Sequence, residues 1–160
     1  MLKPLVLTSD LVSFCQSGLS IIVASCEADG CPIGGPALAC TIDTRNQTVR
    51  LVLPRKPNGP LLQAIAQGKG IAATFTLPST HRSIQLKGPS AKICPLRADD
   101  KRHAADQSAG FVRELITIGY PEVFAQALCG YDARDLAALS FTPTQAFQQT
   151  PGPDAGSALQ

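Results

Sequence analysis

Short apolar runs bounded by glycine, proline and asparagine recur between residues 20 and 93, and they limit what this chain can fold into. The runs are rich in β-branched residues and follow one another at hairpin spacing. We predict strands over 20–26, 33–42, 48–53, 71–77 and 82–93. Pro60 fits the first turn of a helix that ends at Gln67, between the third and fourth strands. Five or six strands around one small helix favour an antiparallel barrel over a doubly wound sheet.

Glycine and proline inside two of these strands predict local distortions. Gly34-Gly35-Pro36 predicts a bulge near the start of the second strand, or a place where the backbone closely approaches another group. Gly88-Pro89 predicts a bend in the last strand, which we expect to continue beyond it.

Helices are predicted on both sides of the strands. Thr8 to Asp10 provides N-cap oxygens for a short helix that ends at Gly18. Apolar positions at helical spacing predict a helix over 99–119, and Pro121 begins another that runs to about Leu128. Residues 136–142 are expected to return to the barrel edge as a strand.

One domain accounts for most of the chain, because 160 residues are enough to bury a single core. We predict this domain over 1–148, mainly β with flanking helices, with its C-terminal helices at about 99–129. The remaining tail, 149–160, is rich in proline and glycine. It is expected either to be disordered or to lie across a partner subunit.

No aspartate or glutamate occurs between Thr44 and Arg97, although the net charge of the whole chain is only +2. This acid-free stretch carries nine cations: Arg45, Arg50, Arg55, Lys56, Lys69, Arg82, Lys87, Lys92 and Arg97. Such a separation of charge predicts an anionic partner, held by cations at loops and strand ends. The next charged group, residues 99–102, mixes both signs and is predicted to be a solvated helix start.

Composition narrows the kind of partner. Aromatic residues make up only 5% of the chain, and no run of lysine and arginine occurs, so a nucleic-acid surface is not predicted. A small phosphorylated ligand suits the acid-free stretch better. Residues 1–7 lack the apolar core of a signal peptide or a membrane span, so we expect a cytoplasmic protein without a membrane partner.

The sequence contains none of the usual catalytic sets. There is no Ser/His/Asp set, no nucleophile elbow and no C-x-x-C pair among the six cysteines, and only His81 and His103 are available as imidazole ligands. We therefore predict no metal site and assign no catalytic residue. If the protein is an enzyme, its electrons must move through a cofactor.

The order of these elements resembles the pyridoxamine 5'-phosphate oxidase-like FMN-binding split-barrel family over nearly the whole chain. The most specific segment is the strand from His81 to Gly88, HRSIQLKG, which is similar to the family pattern of Arg, polar, apolar, any, apolar, any, Gly. The closing segment QTPGPDAG is similar to the C-terminus of a bacterial subgroup without an assigned substrate. The resemblance implies an antiparallel split β-barrel that forms a homodimer with two FMN sites at its interface.

Two departures from the family pattern affect the expected phosphate site. Members that hold FMN tightly carry an arginine early in the second strand, where this chain has Gly34-Gly35-Pro36, and a Ser-Arg-Lys-type group before the short helix, where it has Asn58-Gly59-Pro60. Arg55 and Lys56 lie just upstream and are predicted to supply the missing charge. The positive end of the short helix favours an anion at the same place.

We expect the remaining cofactor contacts at the start of the HRSIQLKG strand. Arg82 matches the strand-entry arginine of the family, and Ser83 stands where a glutamine often contacts the flavin. Thr80 and His81 are donors for phosphate or ring oxygens, although a surface-loop role for His81 is as well supported. The predicted cofactor-binding residues are Arg55, Lys56, Asn58, Thr80, His81, Arg82 and Ser83.

Two functions remain open at this point. The first is an FMN-dependent oxidoreductase that acts on an unknown small molecule. The second is a non-catalytic dimer that binds flavin, another phosphorylated ligand or haem; for haem, the available axial ligands are His81, His103 and the cysteines.

Overall fold

The computed structural model describes residues 5–159, so the expectations for Met1–Pro4 and Gln160 lie outside the described residues. Its strands are all antiparallel and its helices flank them, as predicted. The helices are α1 Ser9–Cys15, α2 Gly59–Ala66, α3 Asp100–Thr117 and α4 Glu122–Leu128. The strands are β1 Ser20–Cys26, β2 Pro32–Ala37, β3 Ala39–Asp43, β4 Thr48–Pro54, β5 Ile71–Thr76, β6 Ser83–Gly88, β7 Lys92–Cys94, β8 Leu136–Phe141 and β9 Gln145–Gln148.

Two sheets enclose one principal core. The five-stranded sheet has the order β2-β1-β5-β6-β9, and the four-stranded sheet has the order β3-β4-β8-β7. Inward residues such as Val23, Leu51 and Leu86 are fully buried between them. Leu61 and Ile65 of α2 belong to the same cluster, so this helix packs into the barrel, whereas α3 contacts β3 and β4. No helix among residues 5–159 is long and apolar enough to cross a membrane.

The predicted strand over 33–42 is wrong in one respect, because the chain forms two strands that belong to different sheets. Leu38 separates β2 from β3, and its N–H donates to the carbonyl oxygen of Val52 in the four-stranded sheet (2.7 Å).

The register of β1 with β2 is unbroken from Gly34 to Pro36, so the predicted bulge is not found there. The alternative expectation, a close approach of the backbone to another group, holds at Gly35, which lies against Asn58. Pro32 and Pro36 are tolerated because β2 is an edge strand, where a missing N–H costs no ladder bond.

The predicted strand over 82–93 is divided in the same way. β6 ends at Gly88, and β7 begins at Lys92 in the other sheet. A Cβ atom at Gly88 would lie 2.9 Å from Cδ2 of Phe141, so only glycine allows the strand to pack this closely against that ring. Pro89 follows and has no N–H with which to continue the β6 ladder.

The C-terminal segment adds a strand that the sequence did not predict. β9 pairs with β6, and its short run QAFQ carries only two apolar residues, too few for a strand signal. The tail then folds back onto β9 of its own chain. The N–H of Leu159 donates to the carbonyl oxygen of Ala146 (2.8 Å), and that of Gln148 donates to the carbonyl oxygen of Ser157 (2.9 Å).

A buried ion pair joins α3 to β4. The guanidinium of Arg50 donates to both carboxylate oxygens of Asp100, which is only 1% exposed. Burial alone would raise the pKa of Asp100, but hydrogen bonds from Arg50 and the N–H of Arg97 hold that pKa below its ordinary value. The predicted solvated face over residues 99–102 is thus wrong for Asp100, whose partner is fifty residues away in sequence.

Candidate functional site

The outward surface of the five-stranded sheet, hereafter the outer face, is partly exposed. Alternation along β5 buries Ala73 and Phe75 and turns Ala72, Thr74 and Thr76 outward. The middle of the face is exposed, since Ile22 retains 47% of its accessible surface. The outer face comprises Pro36, Gly34, Ile22, Ala24, Ala72, Thr74, Thr76, Ser83, Gln85, Lys87 and Phe147.

Cross-strand hydrogen bonds fix the polar side chains of this face. The hydroxyl oxygens of Thr76 and Ser83 lie 2.9 Å apart, and Nε2 of Gln85 donates to Oγ1 of Thr74 (3.0 Å). Ser83 belongs to the predicted cofactor-binding set, whereas Thr74, Thr76 and Gln85 do not. Their signal was available in the sequence, because polar residues alternate with apolar ones in both IAATFT and SIQLKG.

Among the predicted residues, Thr80 ends the turn over 78–80, His81 and Arg82 follow it, and Ser83 is the buried first residue of β6. Oγ1 of Thr80 accepts from the N–H of Arg82 (3.2 Å), and His81 is exposed with a left-handed φ of 58°. The Arg82 guanidinium donates to the carboxylate of Asp10 (2.7 Å) and lies 4.2 Å from the centre of the Phe14 ring. Arg82 is therefore directed toward α1 in this structure.

The predicted residues Arg55 and Lys56 begin a 3-10 turn, Lys56–Asn58, that precedes α2. Both side chains are exposed, and neither forms an ion pair with another described residue. Their backbone N–H groups are occupied. That of Arg55 donates to the carbonyl oxygen of Asp135 (2.8 Å), and that of Lys56 donates to the Asp135 carboxylate (2.9 Å). Only the two side chains are free to meet an anion.

Asn58 joins this turn to the edge strand β2. Its Nδ2 donates to the carbonyl oxygens of Pro36 (3.1 Å) and Pro54 (2.7 Å), and the residue is only 1% exposed. Its Oδ1 has no hydrogen-bond partner and lies 1.9 Å from the position that a Cβ atom would take at Gly35. The two places where the family resemblance expects cations are thus neighbours, and an uncharged carboxamide fills the space between them.

These features define what the turn offers a phosphorylated ligand. A phosphate needs positive charge and N–H donors. The exposed Arg55 and Lys56 side chains supply the positive charge. The backbone N–H of Lys56 is not available as a donor, because it is bonded to the Asp135 carboxylate. A ligand phosphate here would be held by side chains, with Asn58 fixing the turn beneath it.

The two predicted groups do not meet within one chain. Gly35 of β2, which contacts Asn58, pairs with Val23 of β1, and Val23 pairs with Ala73 of β5. Ser83 of β6 pairs with Thr76, three residues farther along β5. The separation is three strand spacings and three residues, or about 14 Å across the sheet and about 10 Å along it. A cavity of about 370 Å³ beside α2 does not connect them, and its lining includes the acids Glu27 and Asp29.

The electrostatic expectation also needs correction. The acid-free stretch does not leave all its cations unpaired, because Arg50 pairs with Asp100 and Arg82 pairs with Asp10, both from outside the stretch. Arg50 also lies within β4 and not at a strand end. Asp99, Asp100 and His103 offer ligand atoms within 4.8 Å of one another, but Asp100 already accepts from Arg50 and Arg97. This cluster is accounted for as the start of α3.

Comparisons with known proteins support the fold. No protein-family model matches the sequence, and no curated protein matches it significantly. A crystal structure of a candidate pyridoxamine 5'-phosphate oxidase from Lactobacillus delbrueckii superposes with a TM-score of 0.54 at 15% identity, covering 90% of this chain and 93% of that one. HupZ from Group A Streptococcus gives the same TM-score at 17% identity, with coverage of 93% and 98%.

These similarities extend over almost the full length of both neighbours. At identities this low, the superpositions establish the architecture but not the substrate or the cofactor. The predicted mainly β architecture with flanking helices is confirmed. The chain has the antiparallel split-barrel fold of the pyridoxamine 5'-phosphate oxidase-like proteins.

Proposed function

We propose that this protein binds FMN as a homodimer and acts, when loaded, as an oxidoreductase on a small molecule. The observation that carries the proposal is the position of Arg55 and Lys56. In a fold shared with a candidate pyridoxamine 5'-phosphate oxidase, two exposed cations stand beside the neutral pair Gly35 and Asn58 that replaces the expected charges. In this proposal Arg55 and Lys56 hold the phosphate.

A homodimer follows from the arrangement of the outer face. Ile22 and Pro36 pair across β1 and β2 and are both exposed, and exposed apolar surface of this kind is suited to burial against a second copy. A two-fold axis along the strands would place the β2 edge of one copy opposite β6 of the other. Arg55 and Lys56 of one copy would then approach the partner's Ser83, which they do not approach within one chain.

The chain's own residues have limited chemical roles in this proposal. FMN, when bound, supplies hydride transfer. Arg55 and Lys56 neutralise the phosphate, while the hydrogen-bonded Thr74 and Gln85 offer fixed polar contacts on the outer face. We assign no proton-transfer residue, because none of the outer-face residues named above carries a carboxylate or an imidazole.

The second candidate function is a non-catalytic binding dimer. It is favoured by the hydrogen bond from the Lys56 N–H to the Asp135 carboxylate, because this carboxylate competes directly with a phosphate at that turn. A visible spectrum of the protein as purified distinguishes the candidates: flavin bands support the first, and a Soret band supports a haem-binding form of the second.

FMN titration of flavin-free protein, followed by quenching of FMN fluorescence, tests the phosphate assignment. We expect micromolar binding by the wild type and at least about tenfold weaker binding by Arg55→Ala/Lys56→Ala, because each lost charge-assisted contact costs about 1.5 kcal/mol or more. The matched control is Arg45→Ala/Lys92→Ala, which removes one exposed cation from the turn between β3 and β4 and another from β7. Equal losses in both double variants would refute a specific grip, and no binding by the wild type would refute the FMN proposal.

A further inference from the structure

A groove of about 560 Å³ lies at one end of the outer face, away from the Arg55 turn. It is bounded by Ala24 and Ser25 on β1, Ala72 on β5, Lys87 on β6 and Thr144 before β9. The groove therefore crosses three adjacent strands and opens at their ends. We call it the Lys87 groove.

The floor of the Lys87 groove is flat and apolar. Ala24 pairs with Ala72, and Ala72 pairs with Lys87, so the three side chains share one row and one side of the sheet. Two successive methyl side chains beside a long one leave a shelf with no bulky group standing on it. Such a shelf accommodates the flat body of an aromatic or conjugated small molecule.

Among residues 5–159 the charge in the groove is entirely positive. Lys87 is the only charged residue of this part of the chain in the lining, and none of its acids lies within ion-pair distance of Lys87. Its ammonium is 4.9 Å from the centre of the Phe147 ring, a cation–π contact that restrains the half-buried side chain at the groove wall. A lysine that only solvates an outer strand face would need neither a cavity beside it nor a contact with an aromatic ring.

From this juxtaposition we propose that the Lys87 groove is a binding site for a small organic carboxylate with a flat apolar body. The carboxylate meets the Lys87 ammonium, and the body lies on Ala24 and Ala72. The Thr144 hydroxyl at the rim is a further hydrogen-bond donor for the carboxylate. The assignment goes beyond the proposed flavin site and involves none of its phosphate-binding residues. Because Ala24, Ala72 and Lys87 belong to the outer face, it requires this end of the face to stay uncovered in the proposed dimer.

Benzoate is the probe, and titration of 15N-labelled flavin-free full-length protein is the experiment. We expect millimolar binding, as a shallow site and a small ligand allow, with amide shifts concentrated at Ala24, Ala72 and Lys87. Benzamide, which has the same shape without the charge, is expected to bind about tenfold more weakly. Because FMN is absent from the titration, its outcome is separate from that of the flavin proposal.

Variants of Lys87 complete the test. Lys87→Gln is expected to weaken benzoate binding about tenfold, Lys87→Arg to retain it, and Lys92→Gln, which removes a lysine from the other sheet, to leave it unchanged. Preserved spectra outside the groove show that each variant is folded. Absence of benzoate binding, equal binding of benzamide, or equal losses in the Lys87→Gln and Lys92→Gln variants would overturn the assignment.

Discussion

The contact between Gly35 and Asn58 predicts an unusually costly glycine-to-alanine substitution. A Cβ atom at Gly35 would lie 1.9 Å from Oδ1 of Asn58 and 3.0 Å from its Cγ, so the carboxamide must move. Movement breaks the two Nδ2 bonds to the carbonyl oxygens of Pro36 and Pro54. Overpacking costs about 1–3 kcal/mol, and each buried group left unpaired costs about 1–3 kcal/mol. We expect Gly35→Ala to lower the free energy of unfolding by about 3–5 kcal/mol.

Urea unfolding followed by circular dichroism measures this loss, because the chain has no tryptophan. Gly34→Ala is the matched control, since its new Cβ would meet nothing closer than the carbonyl oxygen of Val23 at 3.2 Å. We expect it to change the free energy of unfolding by about 1 kcal/mol or less, because the gain from replacing a strand glycine offsets the close contact with the Val23 oxygen. The samples are compared at one protein concentration, because the proposed dimer would contribute to apparent stability.

A double-mutant cycle isolates the contact from other effects of the methyl group. In an Asn58→Ala background the obstructing oxygen is absent, so Gly35→Ala is expected to cost about 1 kcal/mol or less, giving a coupling of about 2–4 kcal/mol. If the full cost of Gly35→Ala persisted in that background, or equalled that of Gly34→Ala, the role assigned to Asn58 would be wrong.

Three further predictions concern other parts of the chain. Asp100→Asn leaves Arg50 buried without its partner and should lower the free energy of unfolding by about 3–5 kcal/mol at neutral pH. Because the pKa of Asp100 is lowered in the folded state, the wild type loses this stabilisation as the pH falls below about 4. The difference between the two proteins in urea unfolding should therefore narrow at low pH. His81→Gly should stabilise the fold by about 0.5–1 kcal/mol in thermal unfolding, since glycine relieves the left-handed backbone at φ 58°; a loss of stability would show that the His81 side chain contributes more than its strain. Exposed Cys31 should react with a thiol reagent in the native protein while Cys15, whose pKa burial raises to about 12, reacts only on unfolding, and equal rates would contradict the packing of α1.

Local signals in the sequence predicted most elements but not how they are shared between two sheets. The strand over 20–26 and the N-cap at Thr8 depend on neighbouring residues, and both are found as predicted, with Oγ1 of Thr8 accepting from the N–H of Leu11. The crossing at Leu38 depends on a hydrogen bond to Val52 in another strand. Periodicity within one segment contains no information about such a partner, so the two long predicted strands were not divided.

The same distinction applies to the candidate site. Residues 55–58 and 80–83 were selected from charge and family resemblance, and their cofactor roles remain predictions. The partners that redirect them, Asp10 for Arg82 and Asp135 for Lys56, lie more than seventy positions away in sequence. Sorting charge along the chain predicted an excess of cations, but only the fold shows which of them are neutralised.

Sedimentation velocity recorded at the visible absorption of flavin tests the central claim most directly, because it reports the mass of the particle that carries FMN. The account predicts that flavin sediments with a dimer of the 16.8 kDa chain, at one FMN per chain. Flavin that remains free at micromolar protein, or that sediments with a monomer, would contradict a site built from two copies of the outer face.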